Sequence, residues 1–236
     1  MPWPRLMPRF LLTIAILGPL AVCGCKGPIH VITDSRIEAD LPPQKDPARV
    51  CAMPVTPGSC QGPRIALVAV DRLLRHANVP GVLVAGDNPV AAFREKLDAI
   101  AGNPCYRAVV LRINSPGGGV TACDIMRRDL AQFRARTGLP VIACLMDLGT
   151  GGAYYLATAA DVIVAHPTTV VGGIGVILNL YNLQDTMAQS NIEANPIKAG
   201  EYVDLGSPVE LMDENGRQIL QQIADEFHAR FRNTVR

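Results

Sequence analysis

The amino-acid sequence predicts an α/β protein built on a mainly parallel sheet flanked by helices. Short continuous apolar runs recur at 65–70, 108–113, 140–146 and 162–165. Uninterrupted runs of that length suit strands covered on both faces, as in parallel sheets. Helical periods lie between them. Phe93, Leu97 and Ile100 repeat at i, i+4, i+7 after the capping candidates Asp87 and Asn88, and Met126, Leu130 and Phe133 do the same ahead of Gly138. The 21 glycines and 19 prolines gather at the junctions between apolar runs, which marks loops of a folded chain rather than disorder.

A chain of 236 residues that is 49% apolar can close one substantial core. Lys and Arg number 22 against 21 for Asp and Glu, so no net field exists to gather nucleic acid. At the N-terminus Arg5 and Arg9 precede an apolar run over 10–22 that ends in Val22-Cys23-Gly24-Cys25. A basic start, an apolar run and a small-residue end predict an export signal over 1–25. The run is shorter than the ~20 apolar residues a span needs, and Pro19 interrupts it. Its end also resembles a bacterial lipobox, with Cys23 an unusual occupant and Cys25 the residue that would be acylated. The expectation is a mature chain lipid-anchored to a membrane of the bacterial cell envelope, with simple secretion as the alternative. Residues 26–63 are rich in proline without a period and read as a tether or irregular arm.

The folded domain is expected over 64–236, ending in a helix from about residue 209 with Ile219, Ile223, Phe227 and Phe231 on one stripe. Cys51 and Cys60 flank a Pro57-Gly58 turn, where a local disulfide and two free thiols are both open readings. Cys105, Cys123 and Cys144 fall in or beside apolar segments, as small buried hydrophobes do. Neither cysteine nor histidine spacing forms a zinc site, and no metal or cofactor is expected.

Four segments carry the chemistry. Asn114-Ser115-Pro116-Gly117-Gly118-Gly119 joins a strand to a helix, and such a glycine turn bares backbone N–H groups that suit an oxyanion. A tight turn without ligand is the competing reading of those residues alone. The second segment runs from Met146 through Thr150-Gly151-Gly152-Ala153-Tyr154-Tyr155 to Ala157. The third holds Ala160-Asp161-Val162-Ile163-Val164-Ala165-His166-Pro167 and Gly172-Gly173-Ile174-Gly175-Val176. The fourth holds Lys198-Ala199-Gly200-Glu201-Tyr202-Val203, then Ser207-Pro208.

In this order the four segments resemble the signal peptide peptidase (SppA-type) serine proteases. The resemblance implies a ClpP/crotonase-like spiral of ββα units, assembly into membrane-associated oligomers, and cleavage of signal peptides by a serine nucleophile and a lysine base. It places the nucleophile at Gly151, the base at Val203 and a lysine-orienting serine at Gly173, so all three side chains are missing. It places the oxyanion and substrate groove at Gly117, Gly118, Gly119 and Gly152. The family also continues past its last helix into a closing segment that is expected to be lacking here.

Glycine offers no nucleophilic atom, and losing one member of such a catalytic unit can cost ~10⁶ in rate. Thr150 is the fallback nucleophile, though its place ahead of a helix suits an N-cap better. Lys198 lies five positions before Val203, on the opposite face of an extended segment, and reads as a solvated lysine. Ser115 would act through its backbone, and His166 beside Asp147 or Asp161 reads as a loop residue.

The expected function is therefore an inactive homologue that binds or scaffolds extended polypeptides or signal peptides, as a homo-oligomer or with an active paralogue. An active peptidase using Thr150 is the alternative. A crotonase-like acyl-CoA enzyme is a third class, disfavoured by the export signal and by the lack of a placed acidic pair.

Overall fold

A computed structural model describes residues 62–78 and 88–236 together with Met53 and Val55. The expectations for Cys25, Cys51, Cys60, Asp87 and the 1–25 signal fall outside these residues. So does nearly all of the 26–63 tether. Five strands and five helices follow: β1 (Arg64–Asp71), α1 (Pro89–Ala101), β2 (Tyr106–Ser115), α2 (Val120–Thr137), β3 (Val141–Thr150), α3 (Gly152–Ala157), β4 (Val162–Ala165), β5 (Val170–Gly172), α4 (Gln184–Gln189) and α5 (Glu214–Val235).

Every described strand pairing is parallel, in the order β1-β2-β3-β4. The long strand β3 serves two neighbours in turn. Its first half pairs β4 through Ile142 to Leu145, and its last residues, Leu148 to Thr150, pair β5. The α/β class with a mainly parallel sheet thus stands, and the four runs read as strands fall in β1, β2, β3 and β4, with Pro140 just ahead of β3.

Two helices end as their sequences dictate. Asn88 Oδ1 accepts from the Val90 N–H at 3.0 Å and caps α1, and Gly138, at φ 66°, closes α2 in the left-handed conformation. Val90, Phe93, Leu97 and Ile100 of α1 and Ala122, Cys123, Met126, Leu130 and Phe133 of α2 are buried with Val109, Leu111, Ile113, Val141, Ala143 and Leu145 of the sheet. Each Leu or Phe so buried contributes about 1.5–3 kcal/mol.

Burial on both faces does not hold. Ala66, Val68 and Val70 of β1 are buried, but Ile65 is 67% and Leu67 47% exposed, and all four residues of β4 are exposed. The physical reason is that α1, α2 and α3 supply apolar stripes to one face, while no described element covers the other. The last helix also begins later than expected. Asp213 accepts from the Gly216 N–H at 2.7 Å and fixes the start at Glu214, whereas 209 lies in a short turn and 211–213 are irregular. Of its stripe, Phe231 is buried, while Ile223 and Phe227 stay more than a third exposed.

The C-terminal end of α5 does set the position of α3. The ring of Phe231 meets Tyr155 edge-on at 5.1 Å, Tyr155 donates its hydroxyl to Asp124 at 2.9 Å, and Arg230 reaches the same carboxylate at 3.0 Å. The Arg127 guanidinium lies 5.3 Å from the Tyr155 ring centre. Beyond β5 the chain is largely exposed as far as α5. Among the described residues no helix is long and apolar enough to cross a membrane.

Candidate functional site where two glycine turns meet

The first turn follows β2. Ser115 is wholly buried at 0% exposure, and its hydroxyl donates to the Arg72 carbonyl while accepting from the Gly117 N–H at 3.1 Å. Leu74 then pairs across the turn: its N–H donates to the Gly117 carbonyl at 2.8 Å, and its carbonyl accepts from the Gly119 N–H at 2.9 Å. A Cβ on Gly118 would overlap the Leu74 carbonyl. Only glycine can sit there.

These bonds correct two sequence expectations. Ser115 works through its hydroxyl, as a strut. Of the three turn glycines expected to bind an oxyanion, Gly117 and Gly119 spend their N–H groups inside the fold, and only the third, Gly118, keeps an N–H without an acceptor among the described residues. Removing the strut strands the Gly117 donor and the Arg72 acceptor, and an unsatisfied buried group costs about 1–3 kcal/mol. Ser115→Ala should therefore lower stability by about 2 kcal/mol in urea titration, with little change in slope.

The second turn joins β3 to α3. Gly151 has φ 53° and ψ −125°, a backbone state closed to most side chains, and its N–H donates to the Gly172 carbonyl at 2.8 Å. A sharp strand-to-helix turn of this kind is where hydrolases present a nucleophile. Here it presents nothing. A Cβ at 151 would stand 3.2 Å from the Pro116 carbonyl oxygen, and one at Gly173 would stand 3.3 Å from the Gly151 nitrogen. The first, second and third segments therefore converge. Gly152 completes the junction, since a Cβ on it would lie 3.4 Å from the Gly118 nitrogen and would overlap the Cys123 sulfur. Burial pushes the Cys123 thiol up to about 12, so it forms an inert floor and not a nucleophile.

Thr150 is the last residue of β3 and caps no helix: the cap position is Gly151, and the Thr150 hydroxyl donates to the Pro116 carbonyl at 3.4 Å. That overturns the capping expectation, because β3 runs one residue further than the helix pattern suggests. The fallback nucleophile has a carbonyl as its partner, and a carbonyl cannot take its proton.

The fourth segment is not extended, which removes the argument that placed Lys198 and Val203 on opposite faces. Turns form instead, with Leu205 N–H donating to the Tyr202 carbonyl and Ser207 N–H to the Asp204 carbonyl. Val203 is 67% exposed, and among the described residues no hydrogen bond joins its loop to the Gly151 turn. Lys198 is paired rather than merely solvated, with Asp204 and with Glu210 at 2.8 Å. Hydrogen bonding to Asp204, then to Glu210, holds its ammonium above the usual lysine range. A general base needs the opposite shift.

Among the described residues no replacement triad forms. His166 Nδ1 lies 2.8 Å from the Thr168 hydroxyl, Asp147 accepts from Asn114, and Asp161 serves the Val141 N–H and Arg134. The Val141 N–H is the main reason the Asp161 carboxyl titrates below its ordinary range. Among the described residues no cluster of His, Cys, Asp or Glu could hold a metal ion. Sequence reasoning missed the Leu74 clamp and the Cys123 floor. The Leu74 pairing had no motif to announce it, whereas Cys123, one turn into α2 after a run of three glycines, was a readable signal for a packed floor.

Residues 134–236, which contain the Gly151 turn and the Gly173 and Val203 segments, match the model of Peptidase family S49. Over this region the chain is similar to the SppA-type S49 peptidases. Protease 4 of Salmonella typhi is 28% identical over 177 residues, covering 75% of this chain and 27% of its own length. The chloroplastic serine protease SPPA of Arabidopsis thaliana is 28% identical over 166 residues, covering 70% of this chain and 24% of its own length. The chain thus spans about a quarter of the length of these two curated relatives. Among solved structures, the 1510-N membrane-bound stomatin-specific protease aligns over 51% of each chain at 14% identity with a TM-score of 0.38. An enoyl-CoA hydratase from Mycobacterium avium subsp. paratuberculosis aligns over 36% of each chain at 20% identity with a TM-score of 0.31.

Proposed function

We propose that this chain is a non-catalytic member of the SppA-type peptidases that binds or scaffolds extended polypeptides at a membrane of the bacterial cell envelope. One observation carries the reading: the turn that would present a nucleophile is formed by Gly151, which has no side chain to react. Lys198, the lysine of the fourth segment, is bound by two carboxylates and stays protonated at neutral pH. Without nucleophile and base, the rate left to backbone donors and binding is about 10³–10⁴ over water, too little for a working protease.

Binding asks for less than catalysis. Gly118 and Gly152 meet where the two turns join, neither backbone N–H has an acceptor among the described residues, and two such donors suit the carbonyl of an extended peptide. Assembly with further copies or an active paralogue is supported by the exposed apolar surface. Residues 162–183 contain no Asp, Glu, Lys or Arg, and Val162, Val170, Ile177 and Tyr181 are each more than half exposed. Acylation at Cys25 would tether the assembly.

The test is fluorophosphonate labelling with a peptide-cleavage assay on the purified chain, with Thr150→Ala alongside. No labelled band and no cleavage above buffer are expected from either protein. A band that disappears in Thr150→Ala would overturn the reading in favour of a threonine peptidase.

A further inference from the structure

We infer that Asn215 is a site of spontaneous deamidation whose rate is set by the Asp213 cap of α5. Asn215-Gly216 is the single Asn-Gly pair in the sequence, and Asn215 is exposed in the first turn of that helix. Glycine at the following position removes the side chain that ordinarily hinders attack on the asparagine amide. The packing also favours glycine there. A Cβ on Gly216 would lie 2.6 Å from Leu205 Cδ2 and 2.8 Å from Asp213 Oδ1. A larger residue would have to displace the Leu205 methyl and the capping carboxylate, so the labile asparagine context goes with the close packing of α5 on the loop before it.

The same packing restrains the reaction. In the chemical step the Gly216 backbone nitrogen loses its proton and attacks Asn215 Cγ. The new C–N bond closes a succinimide, the Cγ–Nδ2 bond breaks, and the proton leaves with Nδ2 as ammonia. Water then opens the ring to aspartate or to the β-linked isoaspartate, with no redox partner. Here the Gly216 N–H is not free to ionise, because it donates to the Asp213 carboxylate at 2.7 Å. Helical backbone geometry also keeps the nitrogen from reaching Cγ. Reaction therefore requires the first turn to open, and local opening of helix ends is the low-energy fluctuation of a fold.

The product would matter to the structure. An isoaspartyl link adds a methylene to the backbone of the first turn, draws the Gly216 N–H away from its cap, and releases the contact with Leu205. The helix α5 would then separate from the loop that carries Lys198.

The experiment ages the full chain in mildly alkaline buffer and follows the peptide containing Asn215 by mass spectrometry for conversion of amide to carboxylate. Losing an N-cap raises the open population of a first turn about fivefold, so Asp213→Ala should deamidate about fivefold faster. Asp213→Asn keeps a capping oxygen and should match the parent chain. Asn215→Gln should show no conversion at this position. The proposal is overturned if Asp213→Ala reacts at the parent rate, if Asp213→Asn reacts as fast as Asp213→Ala, or if the urea-unfolded chain leaves Asn215 intact.

Discussion

Gly118→Ala is expected to remove about 3–6 kcal/mol of folding stability, enough to unfold a domain of ordinary stability at physiological temperature. The added methyl would overlap the Leu74 carbonyl, a backbone atom that cannot rotate away. Relieving the overlap breaks the Leu74 to Gly117 and Gly119 to Leu74 hydrogen bonds, each worth about 0.5–1.5 kcal/mol. It also lifts Leu74, only 1% exposed, from a site whose burial contributes about 1.5–3 kcal/mol. Gly119→Ala is the matched control. No heavy atom lies within 4 Å of its Cβ position and its φ is −62°, so the change should fall within about 1 kcal/mol. Urea midpoints for the two variants decide the matter, and equal losses would remove Leu74 as the clamp.

The sheet was legible because strands of a parallel sheet are short continuous apolar runs bounded by turn residues. The runs at 65–70 and 108–113 extend by only one or two residues at each end in β1 and β2. What the runs could not reveal is which faces are covered. Ile65 and Leu67 are as apolar as Ala66 and Val68, yet one pair is exposed and the other buried, because burial depends on where α1 and α2 land. The start of α5 was misplaced for a related reason. Apolar period suggested residue 209, but a carboxylate at Asp213 with a free N–H three residues on outcompetes period at a helix start.

At the site, the family resemblance pointed to Gly117, Gly118, Gly151, Gly152 and Gly173 together, and the structure brings them into contact because tight approach of backbones demands glycine. Spacing could not tell a donor aimed outward from one consumed within the turn. Gly117 and Gly119 look identical to Gly118 in the sequence, and the Ser115 hydroxyl and Leu74 carbonyl decide between them. The Lys198 pairing was illegible for another reason: Asp204 and Glu210 lie six and twelve residues away, and only the turns over 201–207 bring all three charges together.

Gly151→Ser tests the missing nucleophile directly, and the expected result is a less stable protein that is still inert. Any side chain at 151 must adopt φ 53° and ψ −125°, at a cost of about 1–3 kcal/mol, and must press its Cβ to 3.2 Å from the Pro116 carbonyl. Because both penalties arise at Cβ, Gly151→Ala should lose as much stability as Gly151→Ser. A smaller loss for serine would mean that its hydroxyl finds a compensating partner. The restored hydroxyl should resist fluorophosphonate, since the ammonium of Lys198 is held above the usual lysine range by its two carboxylates and cannot accept a proton at neutral pH. Adding Val203→Lys supplies a second amine at a position that is 67% exposed. A solvated lysine keeps its proton near pH 7, because burial or a neighbouring cation is needed to lower its affinity enough to make it a base. The doubly substituted chain should therefore label no faster than Gly151→Ser alone. Rapid labelling of the double variant would show that Val203 is enclosed beside residue 151 once the chain meets a partner, which would make this cleft one step from a working peptidase.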